Sequence, residues 1–231
     1  MSNKVYACSD LHGCYDLWAQ IRDYCDADDR IIFLGDANDR GLHGIKIIQE
    51  LLADARVTYL MGNHEDMFLD HATDWMELRR ITDMHSIRVN GAIDTMNDFL
   101  KLNNDARTAL LGSLRTLPTE IQYTNKNGQI IYLCHAGYTP NQVPQFQSDL
   151  EEYLFYLWDR SHISQNWTGA DNEFIVHGHT PVAYVTPGAR DVITYCEGHK
   201  IDIDLGAVFS HRAALLDLDT LQPVYFTQRG V

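Results

Sequence analysis

Three short blocks near the start of this 231-residue chain carry residue types that bind hard or borderline cations. They are Asp10-Leu11-His12-Gly13, Gly35-Asp36-Ala37-Asn38-Asp39-Arg40-Gly41 and Gly62-Asn63-His64-Glu65. Each follows a short apolar run (Val5 to Ala7, Ile31 to Leu34, Val57 to Met61) that reads as a strand. Three strand ends are therefore expected to deliver Asp10, His12, Asp36, Asn63 and His64 to one sheet edge. His135 and His179 follow two further apolar runs. Carboxylate, imidazole and amide oxygen together suit divalent manganese, iron or zinc. Asp10, His12, Asp36, Asn63, His135 and His179 are too many ligands for one tetrahedral ion, and they suggest two.

The blocks differ in specificity. Asp, His and Gly at the first block's spacing recur by chance in about one chain in 35 of this length, and capping of the following helix explains them as well. The five fixed residues of the second block recur in about one chain in 14,000. Asp10 and His12, two apart, would share a face if the chain stays extended. Asp36 lies just beyond a buried strand, where a carboxylate is costly unless paired or metal-bound, and it is the candidate to bridge two ions. Asp39 is placed to orient a histidine, and Arg40 offers a planar fork for two phosphate oxygens. The plainer reading of Arg40 is a structural salt bridge.

Asn63 is a neutral oxygen ligand, which leaves a metal acidic enough to ionise water. His64 follows it directly, points elsewhere, and suits a general acid paired with Asp39. Singly, His135 and His179 would read as ordinary strand-end histidines; beside the three blocks they read as ligands. His177 shares a strand face with His179 and reads as a supporting or packing residue. His43, His71, His85, His162, His199 and His211 read as surface or packing residues.

These side chains need a sheet with helices around it. Tyr15 to Cys25 and Leu42 to Ala55 are expected helices, the second with Leu42, Ile45, Ile48, Leu51 and Leu52 at helical spacing. Residues 66–117 lack strand signals and read as a helical insertion beside the sheet. Its helices are expected at Trp75 to Met84, Ala92 to Leu102 and Asp105 to Leu117, the last stopped by Pro118. Glu120 to Tyr123 and Gln129 to Cys134 read as a hairpin turning at Asn125 to Gly128, and Ser148 to Trp158 as a helix. Later strands are expected at Phe174 to His177, Ala183 to Val185, Val192 to Cys196, Lys200 to Asp204, Arg212 to Leu218 and Pro223 to Thr227. The pattern suggests one layered α/β domain over residues 1–231 whose second sheet is antiparallel.

Charge narrows the partners. Asp and Glu total 32 against 18 Lys and Arg, a formal charge of -14. That argues against a nucleic-acid binder, which needs a basic footprint. It leaves room for an anionic substrate, because bound cations make their own positive field. No signal peptide or membrane-length apolar run is visible. Five cysteines, odd in number and without a CxxC pair, favour a reducing cytoplasm.

With these residues in view, the chain resembles the calcineurin-like metallophosphoesterases, in particular the phosphoprotein phosphatase branch with its small bacterial and bacteriophage members. The likeness spans nearly the whole chain. It includes Cys134-His135-Ala136, Leu157-Trp158-Asp159-Arg160, Gly178-His179-Thr180-Pro181 and Ile203-Asp204-Leu205-Gly206-Ala207-Val208-Phe209. The resemblance implies a four-layer α/β fold, two central β-sheets flanked by helices. It implies that Asp10, His12 and Asp36 hold one divalent ion and that Asp36, Asn63, His135 and His179 hold a second. Manganese is the first expectation, with iron, zinc or nickel as alternatives. It also implies that Arg40 and Arg160 clamp phosphate and that His64 with Asp39 forms the general-acid pair. Pro181 stands where the wider superfamily often has a further histidine, and Ala37-Asn38 replaces an apolar pair. Residues 66–115 match no motif and are the expected seat of substrate individuality.

The activity so implied is single-step phosphomonoester hydrolysis by a hydroxide that two metals activate. Phosphoserine and phosphothreonine in proteins lead, and phosphotyrosine and small phosphoesters follow. A symmetrical dinucleoside tetraphosphate hydrolase or a broad phosphodiesterase is the rival, and Asp39 weighs against the former. An inactive binding module is the remote alternative.

Overall fold

A computed structural model describes residues 3–76, 84–138, 146 and 148–230. The elements are β1 (Val5–Cys8), α1 (Tyr15–Tyr24), β2 (Arg30–Phe33), α2 (Gly44–Ala53), β3 (Val57–Tyr59), α3 (Asn63–Met76), α4 (Met84–Val89), α5 (Ile93–Lys101) and α6 (Asn104–Leu114). There follow β4 (Glu120–Thr124), β5 (Ile130–Cys134), α7 (Asp149–Trp158), β6 (Glu173–His177), α8 (Val182–Val185), β7 (Ile193–Tyr195), β8 (Lys200–Asp202), α9 (Ala207–Ser210), β9 (Arg212–Asp217) and β10 (Gln222–Thr227).

Two five-stranded sheets form, ordered β10-β9-β1-β2-β3 and β4-β5-β6-β8-β7. Side chains alternate across each strand, and the alternation builds the layers. In β2, Ile31 and Phe33 join Leu17, Trp18 and Ile21 of α1 and Ile47, Ile48 and Leu51 of α2. Ile32 turns the other way and packs with Ala7 and Leu216 against Ile131, Leu133, Val176 and Ile201 of the second sheet. Beyond that sheet, Cys134 and Ile175 meet Tyr156 of α7. Helices, sheet, sheet and helix make the four layers. Each fully buried aliphatic or aromatic side chain here contributes about 2 kcal/mol. This core fixes the strand ends from which the candidate ligands project.

The helical block shares the first core. Phe68 of α3 and Phe99 of α5 meet edge to face at 5.2 Å, and Leu110, Leu111 and Leu114 of α6 join them. Asn103 caps α6 by accepting from the N–H of Ala106. Of the helix expected over Trp75 to Met84, residues 77–83 lie outside the described residues.

Two expectations are corrected. The second sheet is mixed: β5 pairs parallel with β6, and β6 with β8, while only β4 and β7 run antiparallel to their neighbours. The stretch between β5 and β6 contains α7, which gives the connection the length a parallel crossover requires. Ala183 to Val185 is not a strand but lies in α8, a single helical turn after Pro181. Proline's fixed φ starts the turn, and Thr186 N–H donates to Val182 O at 2.8 Å to close it.

Candidate metal centre

Backbone strain concentrates at the expected site. Ten described non-glycine residues have positive φ, and six of them are Asp10, His12, Asp36, Asp39, Arg40 and His179. Such conformations cost about 1 kcal/mol or more each and persist where the surroundings impose them. The surroundings are visible. The first loop is zipped to the second by Asp10 N–H to Gly35 O (3.1 Å), His12 N–H to Asp36 O (3.0 Å) and Gly13 N–H to Ala37 O (2.8 Å). Asp10 and His12 (φ 53 and 42) thus sit in a tight turn, not in the extended chain their spacing suggested. Glycine is required at Gly178, where a Cβ would overlap the Asp10 carboxylate.

Asp36 stands between two groups of donors. Its Oδ2 is 3.5 Å from His12 Nε2 and 3.9 Å from His64 Nε2, and its Oδ1 is 3.4 Å from His135 Nε2. His12, Asp36 and His64 form one buried cluster of metal-capable atoms, and Asp36, His135 and His179 form another. Asn63 Oδ1 lies 2.9 Å from both His135 Nε2 and His179 Nδ1. His135 Nδ1 donates to Leu34 O at 2.9 Å, so its Nε2 carries a lone pair. Asn63 Oδ1 can only accept, so two acceptors face each other in a buried space, an arrangement a cation would satisfy. His179 Nε2 is buried and without a partner among the described residues. His12 is oriented alike, its Nδ1 donating to Asn38 O at 2.9 Å. Asp10 meets this group through the backbone, its Oδ2 accepting from His179 N–H at 3.0 Å.

The charge balance agrees with a cation-seeking cluster. Burial first, and the charge of Asp204 next, push the Asp10 carboxyl up to about 7. Burial and the nearby Asp10 and Glu65 push Asp36 well above the usual carboxylate range. Burial drives His12, His64, His135 and His179 downward, toward neutral imidazole. Carboxylates short of positive charge and imidazoles with free lone pairs are the chemistry of a divalent-metal site.

Asp39 and His64 are paired, Nδ1 to Oδ2 at 2.7 Å. Arg40 places Nη1 2.6 Å from His12 Nε2 and Nη2 2.8 Å from His64 Nε2. His64 therefore turns toward Asp36 and Arg40 as well as Asp39. Arg40, Arg160 and His179 line one cavity of about 680 Å³. His177 Nε2 meets Tyr195 OH at 2.6 Å and its Nδ1 faces Gly178 O, so the ring is engaged in packing. His162 is buried with its Nδ1 3.3 Å from Asp159.

Four residues had no role in the sequence reading, although Glu65 and Asp204 lie inside its motifs. Glu65 is fully buried and accepts from the N–H groups of Asp36 (2.7 Å), Ala37 (2.7 Å) and Gly62 (3.0 Å) and from Tyr59 OH (2.8 Å). Its signal was an acid in the first turn of a helix, closing a glycine-led block. Thr95 Oγ1 accepts from Asp39 N–H, and Gly91 O accepts from Arg40 N–H at 2.8 Å. No local motif marks either. Asp204, buried beside Asp10, accepts from Gly206 N–H at 2.7 Å and is raised by burial to about 7.

Residues 3–212 match the family of calcineurin-like phosphoesterases. The bis(5'-nucleosyl)-tetraphosphatase PrpE (asymmetrical) of Bacillus velezensis is 24% identical over 229 residues, covering 88% of this chain and 84% of that protein. Among solved structures, a protein assigned as a diadenosine tetraphosphatase superposes with a TM-score of 0.67 at 15% identity, covering 100% of this chain and 96% of the other. The cold-active protein-tyrosine phosphatase of a psychrophilic Shewanella superposes with a TM-score of 0.61 at 20% identity, covering 100% and 80%. These two likenesses speak for the fold.

Proposed function

The chain belongs to the calcineurin-like phosphoesterase family, and from that premise we propose a metal-dependent phosphomonoesterase whose first substrates are phosphoserine and phosphothreonine in proteins. The observation that carries the reading is Asp36, one buried carboxylate shared by two donor groups. Asp10, His12 and Asp36 would hold one divalent ion, and Asp36, Asn63, His135 and His179 the other. Manganese is the first choice, with iron, zinc or nickel as alternatives. Bound ions supply Lewis acidity toward water and toward the phosphoryl oxygens.

The chain's own side chains do the rest in this proposal. Arg40 and Arg160 bind the non-bridging phosphate oxygens from the cavity wall. With substrate bound, His64 would carry a proton at Nε2 and hand it to the departing oxygen, while Asp39 holds Nδ1–H and offsets the burial that otherwise favours the neutral ring. Attack in line by water needs no side-chain nucleophile. Within a single domain over residues 1–231, the helical block of residues 66–117 is the proposed seat of substrate preference. The five free cysteines favour the cytoplasm as its compartment, and no helix among the described residues is long and apolar enough to cross a membrane.

A second reading, hydrolysis of dinucleoside tetraphosphates, is favoured by the Bacillus relative's name. A panel of phosphopeptides, nitrophenyl phosphate and diadenosine tetraphosphate, assayed with manganese, zinc, magnesium and nickel, tests both. Metal-dependent turnover of phosphopeptides supports the first reading. Turnover of none of the panel with any ion contradicts both.

A further inference from the structure

The cavity that holds Arg40, Arg160 and His179 has an apolar side that phosphate chemistry leaves unused. Ile163, Pro181, Tyr184, Val185 and Phe209 line it. Tyr184 is 77% exposed and Phe209 71%, and both line this one cavity, so their rings are open to a ligand there. Both stand on rigid mounts. Tyr184 is in α8, three residues beyond Pro181, and Phe209 is in α9, which left-handed Gly206 and His211 bracket. The two turns are locked side by side by Val182 N–H donating to Asp204 O at 2.9 Å. Each turn follows within a few residues of a buried group at the candidate centre, His179 or Asp204. The backbone turns that carry the rings are therefore held near the phosphate clamp.

We propose that Tyr184 and Phe209 form a stacking subsite for the nucleobase of a nucleoside polyphosphate whose phosphate lies on Arg40 and Arg160. The inference rests on the phosphoester-hydrolase reading and, within it, favours the second reading's nucleotide substrate over phosphoproteins. The occupant follows from three features. The volume, about 680 Å³, lies in the range that encloses a whole small ligand and exceeds what a single phenol ring fills. Two exposed rings suit a flat π system, and a base stacked on an aromatic side chain gains about 1–3 kcal/mol. Two arginines that line the same cavity match the polyphosphate's charge.

The test uses the manganese-loaded 231-residue chain and its Tyr184→Ala, Phe209→Ala and Phe209→Trp variants. It measures kcat/KM for diadenosine tetraphosphate, a phosphotyrosine peptide and a phosphoserine peptide, together with AMP affinity by calorimetry. Each alanine variant should lower the ratio of diadenosine tetraphosphate to phosphoserine kcat/KM about tenfold and weaken AMP about as much. Phe209→Trp should retain both. Loss confined to phosphotyrosine would overturn the nucleobase assignment, as would equal losses on all three substrates or unchanged AMP affinity. If wild type turns over none of these substrates, the hydrolase reading fails separately, and AMP binding with its loss in the alanine variants still decides the subsite.

Discussion

The hydroxyl of Thr95 accepts a hydrogen bond from the backbone N–H of Asp39 at 2.9 Å. It thereby ties the helical block to the loop that carries Arg40. Asp39 in turn holds His64 at 2.7 Å, so α5 supports the proposed acid from behind. Thr95→Val removes the acceptor and leaves a buried N–H unpaired, a cost of about 1–3 kcal/mol. If Thr95 positions the pair, kcat should fall several-fold with KM nearly unchanged, and Thr95→Ser should restore it. A fall in Tm with kcat intact would show a packing role alone.

Glu65 gathers four donors on one carboxylate, and no neutral replacement can accept them all. Glu65→Gln keeps the shape but substitutes an NH₂ for an acceptor oxygen. The variant should lose about 2–4 kcal/mol in urea unfolding, since hydrogen bonds to charged groups are the stronger kind and the stranded donors stay buried. A change below about 0.5 kcal/mol would mean that the loops are held by other contacts.

His64 as general acid predicts a dependence on the leaving group. His64→Asn should slow phosphoserine hydrolysis by about 10²–10⁴ and nitrophenyl phosphate far less, because nitrophenolate departs without a proton. Equal slowing of both substrates would assign His64 to another role.

Asp159 offers a pH signature away from the proposed ligands. Burial would raise its carboxyl, but hydrogen bonds from His162 and Ser161 reverse this and hold it at about 2. A carboxylate is near 3.9 when unfolded, so this depression contributes stability above that value that is lost as pH falls toward 2. Its side chain is 16% exposed, so we expect Asp159→Asn to cost about 1–2 kcal/mol at pH 7, less than the full shift implies. In urea unfolding the gap between wild type and variant should narrow from pH 5 downward. A gap that stays constant with pH would contradict the linkage.

Much of the candidate site is legible because its residues sit at strand ends, where apolar runs give way to Asp, His and Asn in fixed spacing. Asp36 stands out for that reason, and so does the facing set of Asn63, His135 and His179. Glu65 and Thr95 are not legible in the same way. Their partners are backbone N–H groups brought near only by tertiary packing, and a backbone N–H carries no sequence signature. The turn at Asp10 and His12 was hidden likewise, since its positive φ values answer to hydrogen bonds that its N–H groups donate to carbonyls of the second loop. The four layers follow from strand alternation, but strand direction in the second sheet depends on crossovers such as the one through α7, which strand patterns alone do not encode.

The central claim is that Asp36 serves two cations at once. Anomalous diffraction from manganese-soaked crystals, paired with Asp36→Asn, tests it most directly. We predict two manganese ions per chain, both in contact with Asp36, and in the variant the loss of at least one ion together with metal-dependent turnover. A single ion, or two ions retained with full activity in Asp36→Asn, would contradict the account.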